Sequence, residues 1–233
     1  MCGRFTYLFT WKQLHKLLSL DVAPGEELPR RYNVAPTQLA PVVRSGGGGG
    51  RTGAMLRWGL IPPWADDPKI GNMLINARSE TVATKPAFRK AFAERRCIIP
   101  VSGFYEWRQA PGSKTKQPYY IRASGDEPLL LAGLWEKWQP PGDAPAVESF
   151  TIITTTPNEL MAELHDRMPA ILDPADAKAW LDPGAAPEML AALLKPYPSE
   201  LMMRVPVSSK VNSPKNEGPE LLQEVQEEER GLF

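Results

Sequence analysis

The sequence predicts an α+β fold rich in β structure: a single domain of antiparallel strands forming an open barrel or sandwich, with a few peripheral helices. Three observations carry this. Short apolar or alternating stretches bounded by turn residues recur along the chain, as antiparallel strands do. No regular alternation of strand and helix occurs, and neither a Rossmann glycine signature nor a Walker lysine motif is present, which disfavours a parallel sheet and its nucleotide sites. The 25 prolines impose many fixed turns, which suits short strands better than a helix bundle.

Taken in order, Thr10 caps a helix through about Leu20, with Leu14, Leu17 and Leu18 on its inner face. Pro41–Arg44 reads as a strand, Gly46–Gly50 as a flexible hairpin loop, and Ala54–Trp58 as the returning strand. Pro86 suits the first turn of a helix reaching about Glu94. Strands follow at Cys97–Val101, Phe104–Arg108, Pro118–Arg122, Leu129–Trp135 and Ser149–Thr155. Helices are expected at Asn158–Leu164, at Pro174–Leu181 with Asp173 as cap, and at Pro187–Leu194, before a last strand at Met202–Pro206. The domain is drawn as residues 1–216. Residues 217–233 read as an acidic C-terminal tail, expected to be mobile, with a short helix at Leu221-Leu222.

With 42% hydrophobic and 23% charged residues, the 233-residue chain is globular rather than disordered. No apolar run reaches membrane-spanning length and the N-terminus has no signal-peptide core, so no membrane partner and a cytoplasmic location are expected. Two cysteines make no disulfide framework, and with two histidines in no ligand spacing they make no zinc set; no metal and no cofactor is expected. The zero net charge conceals a tail of −5 and a body of +5. A mildly basic body is compatible with a polyanionic partner.

Cys2 carries the most chemistry. Removal of Met1 would leave an α-amine and a thiol on adjacent carbons, with reference pKa values of about 7.7–8.0 and about 8.5. An aldehyde meeting this pair forms a Schiff base with the nitrogen, which the sulfur closes into a thiazolidine. Alternatively, the thiolate attacks an amide with the α-amine as base. While Met1 remains, that nitrogen is an amide and the thiazolidine cannot form.

Polar clusters interrupt the framework at Arg31-Tyr32-Asn33-Val34-Ala35-Pro36, Trp58-Gly59-Leu60-Ile61-Pro62-Pro63-Trp64, Asn76-Ala77-Arg78-Ser79-Glu80, Gly103-Phe104-Tyr105-Glu106-Trp107 and His165-Asp166-Arg167-Met168-Pro169. With Met1-Cys2-Gly3-Arg4-Phe5 they resemble the SOS-response-associated peptidase (SRAP) family in order and spacing, from Cys2 to about Asn216-Glu217-Gly218. The resemblance implies a monomeric sensor of abasic sites in single-stranded DNA. In that family the exposed N-terminal cysteine forms a thiazolidine DNA–protein crosslink with the ring-opened sugar, shielding the lesion. It also implies peptidase-like removal of the preceding residue, a weak lyase activity, and association with the nucleoid during DNA damage if the source is bacterial.

On the same resemblance, Glu106 matches the family's glutamate, able to deliver and accept protons at the amine, and partial desolvation between Tyr105 and Trp107 would raise its pKa. Asn76 matches the site asparagine, whose amide bonds the reacting atoms without titrating. His165 would act as acid or base on the deoxyribose oxygen. Arg4, Arg78 and Arg167 match positions that hold phosphates, Asn33 and Thr154 polar positions lining the pocket, and Pro36, Trp64 and Trp107 groups that stack on bases and wedge the strand. His15, on an amphipathic helix, and Cys97, opening an apolar run, read as structural. Two other classes stay open: an N-terminal-nucleophile amidohydrolase, because such enzymes also begin Met-Cys-Gly, and a module that binds single-stranded DNA without a covalent bond.

Overall fold

A computed structural model of the chain describes residues 2–21, 27–46, 50–109 and 115–226. Met1, residues 47–49 of the expected glycine loop and residues 227–233 of the expected tail lie outside the described residues. In chain order the elements are β1 (Phe5–Tyr7), α1 (Trp11–Leu18), β2 (Arg31–Val34), β3 (Leu39–Ser45), β4 (Arg51–Trp58), β5 (Asn76–Arg78), α2 (Arg89–Glu94), β6 (Arg96–Val101), β7 (Gly103–Gln109), β8 (Lys116–Ala123), β9 (Leu129–Trp138), β10 (Val147–Thr155), α3 (Glu159–Ala162), β11 (Met168–Pro169), β12 (Ile171–Leu172), α4 (Pro174–Trp180), α5 (Pro187–Ala192) and β13 (Met202–Pro206). Among the described residues, no helix is long and apolar enough to cross a membrane.

Local chemistry sets the helix starts. Thr10 Oγ1 accepts from the Gln13 amide at 3.3 Å while Gln13 Oε1 accepts from the Thr10 amide at 2.8 Å, a reciprocal cap that starts α1. Ser19, in the left-handed region at φ 50°, ends it. Asn158 and Asp173 cap α3 and α4 through their side chains, the second with Pro174 in the first turn. The helix expected from Pro86 starts later, at Arg89. Residues 81–88 form successive turns instead, with Lys85 O accepting from both Phe88 N and Arg89 N at 2.9 Å.

The fold class is the expected one, with two refinements. One sheet runs β13-β8-β7-β1-β2, antiparallel throughout. In the other, β10, β4, β3, β6 and β9 close into a ring, because β10 pairs with β9 along one side and with β4 along the other. The sequence suggested an open barrel; closure protects strand edges that an open one would leave bare. Two pairings are also parallel rather than antiparallel, β10 with β4 and β10 with β5. The chain turns away from β4 at Gly59, whose φ of 112° favours glycine, and a Cβ there would lie 2.5 Å from the Gly71 carbonyl oxygen.

Aromatic rings join the two sheets. Phe5 of β1 packs on Trp58 of β4 at 4.8 Å between centroids, and Trp58 lies parallel to Phe150 of β10 at 6.3 Å. All three are fully buried, and Cys2 belongs to the same core cluster. The N-terminal strand is therefore an inner strand of its sheet, with Phe5 packed against the other sheet.

The start of the acidic segment is not a free tail. Glu217 accepts from Arg31 Nε at 2.9 Å and from the Tyr32 amide, Leu221 is fully buried, and Val207 pairs with Glu224 in an isolated bridge. Residues 217–226 thus belong to the fold, contrary to a boundary at 216, because one ion pair and one buried leucine anchor a segment whose composition alone suggests solvation.

Pro36 sits in a tight turn, with Gln38 N donating to Ala35 O at 3.3 Å and Thr37 at φ 75°. Pro36 presets the first corner, and the second corner demands a left-handed residue that a β-branched side chain resists. Replacing Thr37 with glycine is expected to stabilise the protein by about 1 kcal/mol, read as a higher thermal midpoint.

Candidate active site

The site forms where the N-terminus runs beside β7. Phe5 pairs with Phe104, and Tyr105 N donates to Arg4 O at 2.9 Å, so residues 2–4 continue β1 alongside Tyr105–Trp107. From the other side comes β5, aligned by β10 with Asn76 opposite Ile152 and Arg78 opposite Thr154. Asn76 Nδ2 donates to the Cys2 carbonyl at 2.9 Å, and Asn76 Oδ1 is buried with no partner among the described residues. That hydrogen bond fixes the backbone of residue 2 and hence where its nitrogen and sulfur point.

Glu106, 5% exposed, stands behind Cys2. Burial pushes its carboxyl above the ordinary value, against a smaller opposing pull from His165. Burial, with the Glu106 charge adding to it, pushes the Cys2 thiol up to about 12. The reference value near 8.5 therefore does not hold in place: the sulfur is a thiol at neutral pH, and it needs a base as it reacts. Glu106 is a carboxylate within electrostatic reach of both the thiol and His165.

His165 follows α3, its amide donating to Met161 O at 2.8 Å. Its Nδ1 lies 2.6 Å from Asp166 Oδ1 and 3.1 Å from the Arg167 amide nitrogen. The Arg167 amide donates to Nδ1, and the Asp166 carboxylate lies where it would pair with the ring in its charged form.

The structure therefore brings Cys2, Asn76, Glu106 and His165 together, from four separate segments. The residues matched to DNA contacts divide in two. Arg4 Nη1 donates to Asn33 Oδ1 at 2.7 Å and to Val211 O at 2.8 Å. Asn33 is fully buried, and its amide donates to Ser213 O at 2.9 Å and Asn216 O at 2.8 Å. Thr154 is fully buried, its hydroxyl on Ala77 O at 3.4 Å. Arg167 is held in a two-pronged ion pair by Glu80, at 2.6 and 2.9 Å. Trp107 Nε1 donates to Asn212 Oδ1 at 2.7 Å. Each of these side chains is bonded within the protein.

Arg78 and Trp64 are exposed instead. The Arg78 side chain has no hydrogen bond or ion pair to another described residue, and Trp64 is 59% exposed. Trp64 lines a cleft of about 520 Å³ with Pro63, Pro86, Arg89 and Lys90. Pro36 is half-buried at its turn. Arg89, Lys90, Asn212 and Glu80 escaped the sequence reading; only Glu80 had a signal, its place in the Asn76–Glu80 cluster. Among the described residues no group of His, Cys, Asp and Glu could hold a metal ion.

The family described as SOS response associated peptidase (SRAP) matches residues 1–214. Over 225 residues the chain is 47% identical to the abasic site processing protein YoqW of Bacillus subtilis (strain 168), covering 96% of this chain and 99% of that one. It is 46% identical to the abasic site processing protein YoaM of the same organism, over 95% of this chain and 97% of that one. The crystal structure of a protein from Bacteroides thetaiotaomicron superposes with a TM-score of 0.84 at 28% identity, covering 97% of this chain and all of the other.

Proposed function

The chain belongs to the SOS response associated peptidase family, and on that premise we propose that it captures abasic sites in single-stranded DNA as a covalent crosslink through Cys2. The observation that carries the reading is the placement of the Cys2 carbonyl on Asn76 with the buried Glu106 behind the thiol.

The chemistry follows from those groups. With Met1 removed, the α-amine attacks the aldehyde carbon of the ring-opened sugar and a C–N bond forms. The carbinolamine oxygen takes a proton from the Glu106 carboxyl and leaves as water, giving a protonated imine and a Glu106 carboxylate. The sulfur then bonds to the same carbon, its proton passing to the Glu106 carboxylate as the C=N electron pair returns to the nitrogen, and the five-membered ring closes. A carboxyl whose pKa is raised by burial suits both transfers, since more of it is protonated near neutral pH and its conjugate base is stronger. Intramolecular closure offsets the poor nucleophilicity of a protonated thiol. His165 serves the sugar oxygen as acid or base, and the same group supports a weak β-elimination. Attack of the thiol on the Met1 carbonyl would account for peptidase-like self-processing.

Arg78 beside Asn76 offers a free guanidinium to a phosphate, and the Trp64 cleft with Arg89 and Lys90 continues the path for flanking nucleotides, by stacking and charge. Such contacts read no sequence. The protein acts as a monomer, in the cytoplasm at the DNA.

The test is a denaturing gel of the Met1-processed protein with single-stranded DNA carrying one abasic site. A shifted band that intact DNA does not give supports the reading. Salt-sensitive binding without a shift would favour a non-covalent module, and glutamine hydrolysis without DNA an amidohydrolase. Replacing both Arg89 and Lys90 with alanine is expected to lower the slope of log affinity against log salt by about 1–2, with the crosslink still forming at saturating protein.

A further inference from the structure

We propose that the open edge of β13 is a docking site for the acidic segment of this same chain, with residues 227–229 added beside it as a further antiparallel strand. Backbone alternation defines the edge. Val207 N donates to Pro118 O at 3.0 Å and Ser124 N donates to Leu201 O at 2.9 Å, so the odd-numbered residues of β13 turn their backbone groups toward β8. The even-numbered residues turn theirs outward. At one end this outward row is already taken: Val225 N donates to Pro206 O at 3.0 Å, and Val207 is bridged antiparallel to Glu224. At Arg204 it is open, since no described backbone group outside the ladder with β8 bonds its N–H or C=O. An edge with one rung in place is a template for the residues that follow.

Register names the partners. From Val207 opposite Glu224, each step back along β13 meets one step forward along the C-terminal segment. Gln226 then falls opposite Val205, Glu227 opposite Arg204 and Glu228 opposite Met203. Opposed residues share a face of the sheet. On one face, Arg204 Nη1 donates to Leu160 O at 2.9 Å, and its guanidinium pairs with Glu163 and lies 5.7 Å from the Tyr119 ring centre. Glu227 brings a second carboxylate to this cation. On the other face, Met203 is paired with Arg122, which lines a cleft of about 910 Å³ with Val205, Leu222 and Glu224. The C-terminal segment therefore already walls this cleft, and Glu228 follows onto the side that holds Arg122 and Lys16. Asp126 and Glu127 line the cleft past the end of β8, and Arg230 is the residue carried toward them. Acids meet cations and the one base meets acids in this register, and a slip by one residue exchanges the faces.

Amide hydrogen exchange, read by NMR in the full chain and in a chain stopped after Gln226, provides the test. The Arg204 amide is expected to exchange at least about 10-fold more slowly in the full chain. The Val205 amide, turned toward β8, is expected to be equally protected in both, which shows that the shortened sheet still stands. In the full chain, Glu227→Lys with Glu228→Lys keeps the length and is expected to remove most of the Arg204 protection. Added salt is expected to weaken that protection in the unaltered chain, because the pairs lie near the surface. Equal exchange of Arg204 in the full and shortened chains, or an unchanged rate in the double lysine variant, would overturn the proposal. So would protection that grows with protein concentration alongside a dimer in sedimentation, since a second copy would then cover the edge. Should shortening the chain expose Val205 as well, the double lysine variant carries the comparison, with the same two outcomes.

Discussion

Glu106→Gln is expected to slow crosslinking by about 10²–10⁴-fold while making the fold more stable at neutral pH. The rate loss follows from removing a carboxylate within electrostatic reach of both the thiol and His165. The stability gain follows from sign. Burial raises the native pKa of Glu106, so the unfolded chain ionises first and ionisation opposes folding. Stability owed to the neutral carboxyl is complete below the unfolded value of about 4.3 and is lost as pH rises through the higher native value. Glutamine does not titrate. Thermal midpoints of the two proteins are therefore expected to converge in acid and to separate, with the variant higher, as pH rises toward 8. A variant that is less stable at neutral pH and crosslinks at the normal rate would show Glu106 to be a structural partner only.

Asn33→Leu carries the next largest expected effect, a loss of about 3 kcal/mol of stability, read as a lower denaturant midpoint. Leucine keeps the branching but adds volume, the carbonyls of Ser213 and Asn216 lose the Asn33 amide as donor, Val211 O keeps only Arg4, and Arg4 loses one of its two acceptors. The segment that brings Asn212 to Trp107 would loosen with them. A pocket-lining residue that touched only DNA would behave oppositely, weakening binding at unchanged stability.

How much of this was legible depends on the range of each interaction. The Thr10 and Asp173 caps act within three residues, and both helices start where the sequence places them. The long strands from Arg96 to Thr155 also stand near their expected positions, because each contains an apolar or alternating stretch bounded by turn residues. β1, β2 and β5 span three or four residues, too few for a period to show, and their pairing comes from partners distant in sequence. Closure of the ring by β10 is equally non-local. In the site, Cys2, Asn76, Glu106 and His165 were named from clusters that strands and helices alone do not require. What the clusters hid was division of labour. Arg4, Arg78 and Arg167 look alike as letters, yet one is bonded to Asn33, one is free among the described residues and one is locked to Glu80. The acidic segment misled for a related reason, since Leu221 and Glu217 outweigh their neighbours only once Arg31 is beside them.

The most direct test is the mass of the adduct. The Met1-processed protein is mixed with a single-stranded oligonucleotide bearing one abasic site, without reductant, and the product is digested and mapped by mass spectrometry. The expected product is protein plus DNA less one water, stable to denaturation, with the added mass on the N-terminal Cys2 peptide. It should be absent from Cys2→Ala and from protein that retains Met1. An adduct that persists in Cys2→Ala, or that maps to a lysine and survives only after borohydride reduction, would contradict capture through Cys2.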